Sequence, residues 1–219
     1  MMVFTCRTAA GRCLAQQVAA LPRWTACRTP RAVFGIARGG VPVAAEVAHL
    51  LGAPLDIVVV RKVTAPGNPG LTVGAMAEDG TLVCTGAFLR RFAADSPRLP
   101  ELARETESWL ARQAHLLRGR HEALGIRGGD VVLVDDAACT GASAHAALKV
   151  LRHRGAASLV LALPGGSPEA LGRLRPSVDE IVCLEALDTA LDSWYVDQNP
   201  VSDREIVSLL ETHRTAVGR

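Results

Sequence analysis

The sequence predicts a doubly wound, mainly parallel α/β fold. Three observations carry that reading. Short apolar runs rich in β-branched residues, at 32–36, 55–60, 131–134 and 158–163, have the length and composition of strands buried on both faces. Between them lie segments with apolar residues at helical spacing, and such alternation is the pattern of βαβ units. Three clusters of chemistry-bearing residues each follow a predicted strand: Arg38-Gly39-Gly40, Arg61-Lys62 and Asp135-Asp136. In an open parallel sheet the carboxyl ends of the strands share one edge, where ligands bind.

Taken in order, residues 5–21 place Ala10, Leu14, Val18 and Leu21 on one helical face, with Thr5 and Thr8 as candidate caps. Pro22 and Thr29-Pro30 mark a turn region. The strand at 32–36 runs into Arg38-Gly39-Gly40, and 41–51 reads as a helix. The glycine pair permits close ligand approach, although a glycine turn is the plainer reading of such a triplet. The strand at 55–60 ends in Arg61-Lys62 and is followed by a Gly- and Pro-rich stretch, 63–80, that reads as a long loop. Residues 82–84 read as a short strand.

Residues 100–118 form a long helix with Leu102, Trp109, Leu110, Leu116 and Leu117 on or near one face. Arg104, Arg112, Arg118 and Arg120 give it a basic side, read as a solvated surface. Beyond the strand at 158–163, Pro164-Gly165-Gly166 reads as a turn. Ser167 and Pro168 suit the N-cap and first position of a helix ending near 174. A last strand is expected at 179–184, then an irregular region with Trp194 and Tyr195. Ser202-Asp203-Arg204-Glu205 fits a capping box opening a final helix to about 212.

The stretch 130–151, DVVLVDDAACTGASAHAALKVL, organises the rest. Strand, acidic pair, small-residue loop and helix make a device for an anionic ligand, because loop N–H groups and a helix N-terminus favour negative charge. Thr140 and Ser143 add hydroxyl donors. Two carboxylates would repel a phosphate, so Asp135 and Asp136 suit sugar hydroxyls or a hydrated Mg²⁺. An ordinary strand-to-helix turn is the alternative. A receiver-type phosphoacceptor would carry its acidic pair near the chain start, and a Walker loop would need Gly-Lys-Ser/Thr, which is missing.

This segment resembles the phosphoribosyl-pyrophosphate (PRPP) signature of type I phosphoribosyltransferases: four apolar residues, two acids, small residues, then Thr-Gly. The resemblance implies the fold of that kind, with a small hood region. It also implies transfer of ribose 5-phosphate from PRPP, with Mg²⁺, to a nitrogenous small-molecule acceptor, and release of pyrophosphate. Asp135 and Asp136 would then take the ribose hydroxyls and, through water, the metal. The loop Ala137, Ala138, Cys139, Thr140, Gly141, Ala142 and Ser143 would hold the 5-phosphate. Arg38, Gly39 and Gly40 are similar to the family's pyrophosphate loop, which often contains a non-proline cis peptide, and Arg61 and Lys62 stand by it. The long loop after Lys62 would close over the reaction centre.

The string RGGVPVAAEVA…LGAPLDIVVVRKVTAPGNP…VGAMAEDG is most similar to a bacterial group of predicted phosphoribosyltransferases with undefined acceptor, and this likeness covers nearly the whole chain. Orotate enzymes carry a further Lys and His-Gly where this chain has Ala65-Pro66-Gly67-Asn68-Pro69-Gly70. Hypoxanthine–guanine enzymes carry Asp where Cys139 stands. Cys139 reads either as a small filler or as a base or redox switch. Ala137 replaces the usual glycine and would be strained if that position needs a positive φ. Trp194 and Tyr195 either stack on a base or fill the core. His145 reads as structural or solvent-facing. A non-catalytic regulator sensing PRPP or a nucleotide is the alternative function, and PRPP hydrolysis or nucleotide phosphorolysis is a weaker one.

Composition agrees with a globular chain of 219 residues, 49% hydrophobic and 21% charged. A net charge of +2 gives no strong nucleic-acid signal. Lys62 and Lys149 are the only lysines, a bias that codon composition explains as readily as phosphate recognition. Six cysteines form no C-x-x-C pair, which argues against zinc, and with neither a secretory signal nor a membrane span in view a reduced, cytoplasmic setting is expected. The opening has no continuous apolar core of a secretory signal, and 41–60 is broken by Glu46, Pro54 and Asp56, so no membrane span is expected. One domain is expected over 1–219, with a core at about 30–185 and both chain ends packed on it. A homodimer stays open, since a partner's arginine reaches the phosphates in some type I enzymes.

Overall fold

Parallel pairing dominates the centre of one seven-stranded sheet, whose strand order is β4-β3-β2-β1-β5-β6-β7. The computed structural model describes residues 3–26, 31–65, 68–84, 99–187 and 194–215. The strands are β1 (Arg31–Ala37), β2 (Leu55–Ala65), β3 (Asn68–Ala77), β4 (Leu82–Cys84), β5 (Asp130–Val134), β6 (Ser158–Gly166) and β7 (Glu180–Ala186). The helices are α1 (Arg7–Ala19), α2 (Pro22–Ala26), α3 (Gly40–Leu51), α4 (Leu99–Arg118), α5 (Ala142–His153), α6 (Pro168–Leu174) and α7 (Asp203–Thr215). A 3₁₀ turn, Arg175–Ser177, follows α6. Strands β2-β1-β5-β6-β7 pair in parallel, while β3 and β4 add antiparallel to β2. The doubly wound α/β reading therefore holds.

Alternation along each central strand builds two cores. Val33, Leu55, Ile57, Val132, Val134 and Val160 face one way, against residues of α1, α3, α4 and α7. Phe34, Ile36, Val58, Leu133, Leu161 and Leu163 face the other, against α5 and α6. Each such side chain removed from water stabilises the fold by about 1.5–3 kcal/mol.

Helix α1 buries Ala10, Leu14 and Val18 as its spacing predicts, but Cys6 is its N-cap and neither Thr5 nor Thr8 supplies a side-chain cap. Ser167 caps α6, its Oγ accepting from Ala170 N at 3.0 Å. Ser202 Oγ accepts from Glu205 N at 3.2 Å at the start of α7.

Several readings change. The stretch after Lys62 is not one long loop: β2 continues to Ala65 and β3 returns along it, with Lys62 opposite Ala75. Gly74 lets the next strand close in, since a Cβ there would meet Val83 O at 2.3 Å. Pro164-Gly165-Gly166 is not a turn but the end of β6. Gly165 lies under the Trp194 ring, where a Cβ would come within 2.5 Å, so an aromatic lid rather than a bend explains this glycine. Within 22–30, Pro22–Ala26 forms α2, and Thr29-Pro30 lies outside the described residues.

On α4, Leu110, Ala114 and Leu117 are buried while Leu116 is exposed. Arg118 leaves the basic face altogether. It is buried, with Nε 3.0 Å from Asp56 Oδ1 and Nη2 2.8 Å from Glu78 Oε1. Asp56 also accepts from the main-chain N–H groups of Ile57 and Leu124, both at 2.8 Å. A buried ion pair satisfied in this way is costly to break from either side.

Candidate functional site

Strand order sets the place of the site. From β1 the chain passes through α3 to β2 on one side, and from β5 it passes through α5 to β6 on the other. β1 and β5 are neighbours, so their carboxyl ends flank the point where the winding reverses, and a crevice opens there. One cavity at that edge is lined by Ile36, Ala37, Arg38 and Gly39 from the end of β1, and by Val60 and Lys62 from β2. The run from Asp135 to Ala144 forms the rest of its wall.

The acidic pair is tightly held. Asp136 N donates to Asp135 Oδ1 at 2.9 Å. Burial, and then the neighbouring Asp136 charge, push the Asp135 carboxyl well above the usual carboxylate range, against the pull of its bond from Asp136 N–H and of Lys62. Arg7, at the start of α1, donates from Nε to Asp136 Oδ2 at 2.9 Å. Tyr195 donates its hydroxyl to Asp136 O at 2.7 Å. Burial raises that phenol, so it stays a donor. Neither contact has a local signal in the sequence, because Arg7 is 129 residues from Asp136 and Tyr195 is 59.

The loop beyond the acids is braced from β6 and α6. Ala138 N donates to Gly165 O at 3.0 Å, and Ser167 N to Ala138 O at 2.9 Å. Ser167 Oγ donates to Cys139 O at 2.8 Å. Gly141 takes the left-handed conformation, φ +75°, at the N-cap of α5. No described residue other than glycine has positive φ, so Ala137 is unstrained and the turn is made at Gly141 instead. The first turn of α5 presents N–H groups without intrahelical partners towards the cavity.

Of the candidate site residues, Arg38, Gly39, Lys62, Asp135, Asp136 and the loop 137–143 meet around this cavity. Two do not line it. Arg61 points away, its guanidinium carbon 4.6 Å from the centre of the Trp109 ring, as alternation along β2 requires after Val60 and before Lys62. Gly40 lies behind the acids, where a Cβ would meet Val134 O at 2.7 Å. Arg38 lines the cavity, but its guanidinium is paired with Asp203 of α7, and Nη2 donates to Gln113 of α4 at 3.1 Å. The peptide Ala37–Arg38 is cis.

Trp194 and Tyr195 are 1% and 3% exposed, so both belong to the core with Phe4 and neither offers a ring face for stacking. Cys139 is exposed beside Thr140 on the cavity rim. His145 is outside the cavity, and burial, then Lys149, lower its basicity. Among the described residues no cluster of three or more His, Cys, Asp or Glu side chains suits a metal ion. No described helix is long and apolar enough to cross a membrane.

Comparison with known proteins identifies the family. Residues 9–197 match the family described as "Phosphoribosyl transferase domain". A Mycobacterium tuberculosis (strain H37Rv) protein named "Putative phosphoribosyl transferase Rv0571c" is 39% identical over 217 residues, which are 98% of this chain and 48% of that protein. The counterpart in strain CDC 1551 matches equally. The chain thus spans about half the length of these curated relatives. The crystal structure of TT1426 from Thermus thermophilus superposes with a TM-score of 0.78 at 39% identity, covering 97% of this chain and 99% of that one. With its acid pair and small-residue loop at the winding reversal and this likeness over nearly its full length, the chain belongs to the phosphoribosyl transferase domain family.

Proposed function

We propose that the protein is a pentosyl-transferring glycosyltransferase of nucleotide metabolism that binds PRPP with Mg²⁺ and passes its ribose 5-phosphate to a nitrogenous small molecule, releasing pyrophosphate. One observation carries the proposal: the acid pair and small-residue loop that follow β5, the chain leaving β1 at Ala37 to Gly39, and Lys62 of β2 line a single cavity.

In this reading the N–H groups at the start of α5, with Thr140 and Ser143, hold the 5-phosphate. Asp136 and Asp135 accept the ribose hydroxyls, and their negative charge favours the oxocarbenium character that develops at C1. The acceptor nitrogen bonds to C1 as the C1–O bond breaks, and that electron pair leaves on pyrophosphate. Lys62 and the main chain at Ala37 to Gly39 stand where the leaving charge develops. Arg38 joins them by exchanging Asp203 for a phosphate oxygen. That pair is 42% and 37% exposed, so the exchange costs about 0–1 kcal/mol.

The donor set suits Mg²⁺, which typically takes one or two carboxylates and completes its shell with water and substrate phosphate. When bound, the ion neutralises charge on the diphosphate. Asp135 and Asp136 are the residues that would hold it, through water.

Calorimetric titration of PRPP with Mg²⁺ tests the reading, followed by a screen of nitrogenous acceptors for pyrophosphate release. Mg²⁺-dependent binding lost in the folded Asp135→Asn, Asp136→Asn double variant supports the site. Unchanged affinity in that variant removes it. Binding without turnover on any acceptor favours a PRPP-sensing regulator.

A further inference from the structure

We infer that Arg7 is a positioning residue of this site, acting through Asp136; the inference rests on the reading of the cavity as a PRPP site.

Asp136 is gripped at two points. Its Oδ2 accepts from Arg7 Nε at 2.9 Å, and its main-chain oxygen accepts from the Tyr195 hydroxyl at 2.7 Å. On the β1 side Gly39 leaves the carboxylate the room that a Cβ would take, since one built there would lie 2.0 Å from Oδ2. Arg7 is itself fixed. Its Nη1 donates to Asn199 O at 3.1 Å, and its guanidinium carbon lies 5.2 Å from the centre of the Tyr195 ring. The Arg7 and Asp136 side chains are 15% and 12% exposed, so this pair is far less screened than a surface ion pair.

Two consequences follow for a bound sugar phosphate. With Oδ2 held by Arg7, Oδ1 is the oxygen left to meet a ribose hydroxyl; among the described residues it has no hydrogen-bond donor. The guanidinium also supplies positive charge beside two adjacent carboxylates that must accept a polyanionic ligand. Arg7 does not line the cavity, so it does this without touching the phosphates. Losing Arg7 should therefore weaken recognition of the ribose ring and spare the anion loop, which α5, α6 and β6 hold independently.

The test compares PRPP, ribose 5-phosphate and inorganic phosphate, each titrated with Mg²⁺ into wild type, Arg7→Gln, Arg7→Lys, Asp136→Asn and the Arg7→Gln, Asp136→Asn double variant. Arg7→Gln is expected to weaken PRPP and ribose 5-phosphate about 10-fold and leave inorganic phosphate unchanged. The double variant should bind no worse than Asp136→Asn alone, because the two residues act as a unit. Arg7→Lys keeps the charge but cannot reach Asp136 and Asn199 together, and should fall between wild type and Arg7→Gln.

Additive losses in the double variant overturn the inference, as does an equal loss of inorganic phosphate. A lower melting temperature with wild-type PRPP affinity also overturns it, since Arg7 would then only fasten the chain. Should Arg7→Gln fail to fold, Arg7→Lys decides: weaker PRPP binding supports the role and wild-type binding ends it. Wild-type protein that binds no PRPP removes the transferase reading itself. Wild-type binding with an unaffected Arg7→Gln removes this inference alone.

Discussion

Gly39 stands so close to Asp136 that a Cβ on it would lie 2.0 Å from Oδ2. The end of β1 and the acid pair after β5 are thus in contact through a residue with no side chain. Gly39→Ala is expected to displace the Asp136 carboxylate and cost about 1–3 kcal/mol of stability, the usual range for overpacking. PRPP affinity should fall about 10-fold or more, as a hydrogen bond to a charged group is lost. Thermal melting and calorimetry on the same sample check both.

Asp135 should make the ligand-free protein less stable at neutral pH than in acid. Burial and the Asp136 charge raise its carboxyl well above the ordinary 3.8. Between the unfolded and the raised folded value the native state binds more protons, so stability falls as pH rises through that window. Asp135→Asn keeps an oxygen for the Asp136 N–H and removes the charge. Without Mg²⁺ its melting temperature should exceed wild type by roughly 3 °C or more at pH 8, with the gap closing near pH 4. A gap that is constant with pH would contradict this.

Lys62 and Arg61 should separate cleanly. Lys62 lines the cavity, and Lys62→Ala is expected to weaken PRPP by about 10-fold or more. Arg61 lies over Trp109, and Arg61→Ala should leave PRPP binding unchanged while costing about 0.5–1 kcal/mol of stability. Equal losses of affinity would contradict the opposed directions of the two side chains.

The Asp56–Arg118–Glu78 group should govern stability alone. Asp56→Ala takes one of two carboxylates from the buried Arg118 guanidinium and the acceptor from the Ile57 and Leu124 N–H groups, and is expected to cost about 3–5 kcal/mol. PRPP affinity of the folded fraction should not change, because none of the three lines the cavity. Denaturant melts with a PRPP titration below the midpoint test this.

Much of this was legible in the chain, for reasons that differ by element. The central strands β1, β5 and β6 are apolar on both faces, so their runs stand out against the helices. The loop 137–143 carries its chemistry in consecutive residues, so its motif survives without a structure. Strand β3 is hidden because its glycines and its proline read as loop, while its pairing with β2 supplies what local propensity does not. Arg118 looks like one more surface arginine until Asp56 and Glu78 are seen around it. Arg7 is the clearest limit: nothing near it in sequence distinguishes it from Arg12, which pairs with Glu46 on the surface.

The joining of residues 4–7 to 194–199 over the acid pair also sets a timetable. Phe4 N donates to Trp194 O, and Val196 N to Phe4 O, each at 2.9 Å. During synthesis, residues 135 and 136 leave the ribosome well before Tyr195 does, and loop closure over that span must wait for it. A nascent chain stopped after α6 has the loop 137–143 and its braces but not the full grip on Asp136, so phosphate recognition is expected to mature earlier than sugar recognition.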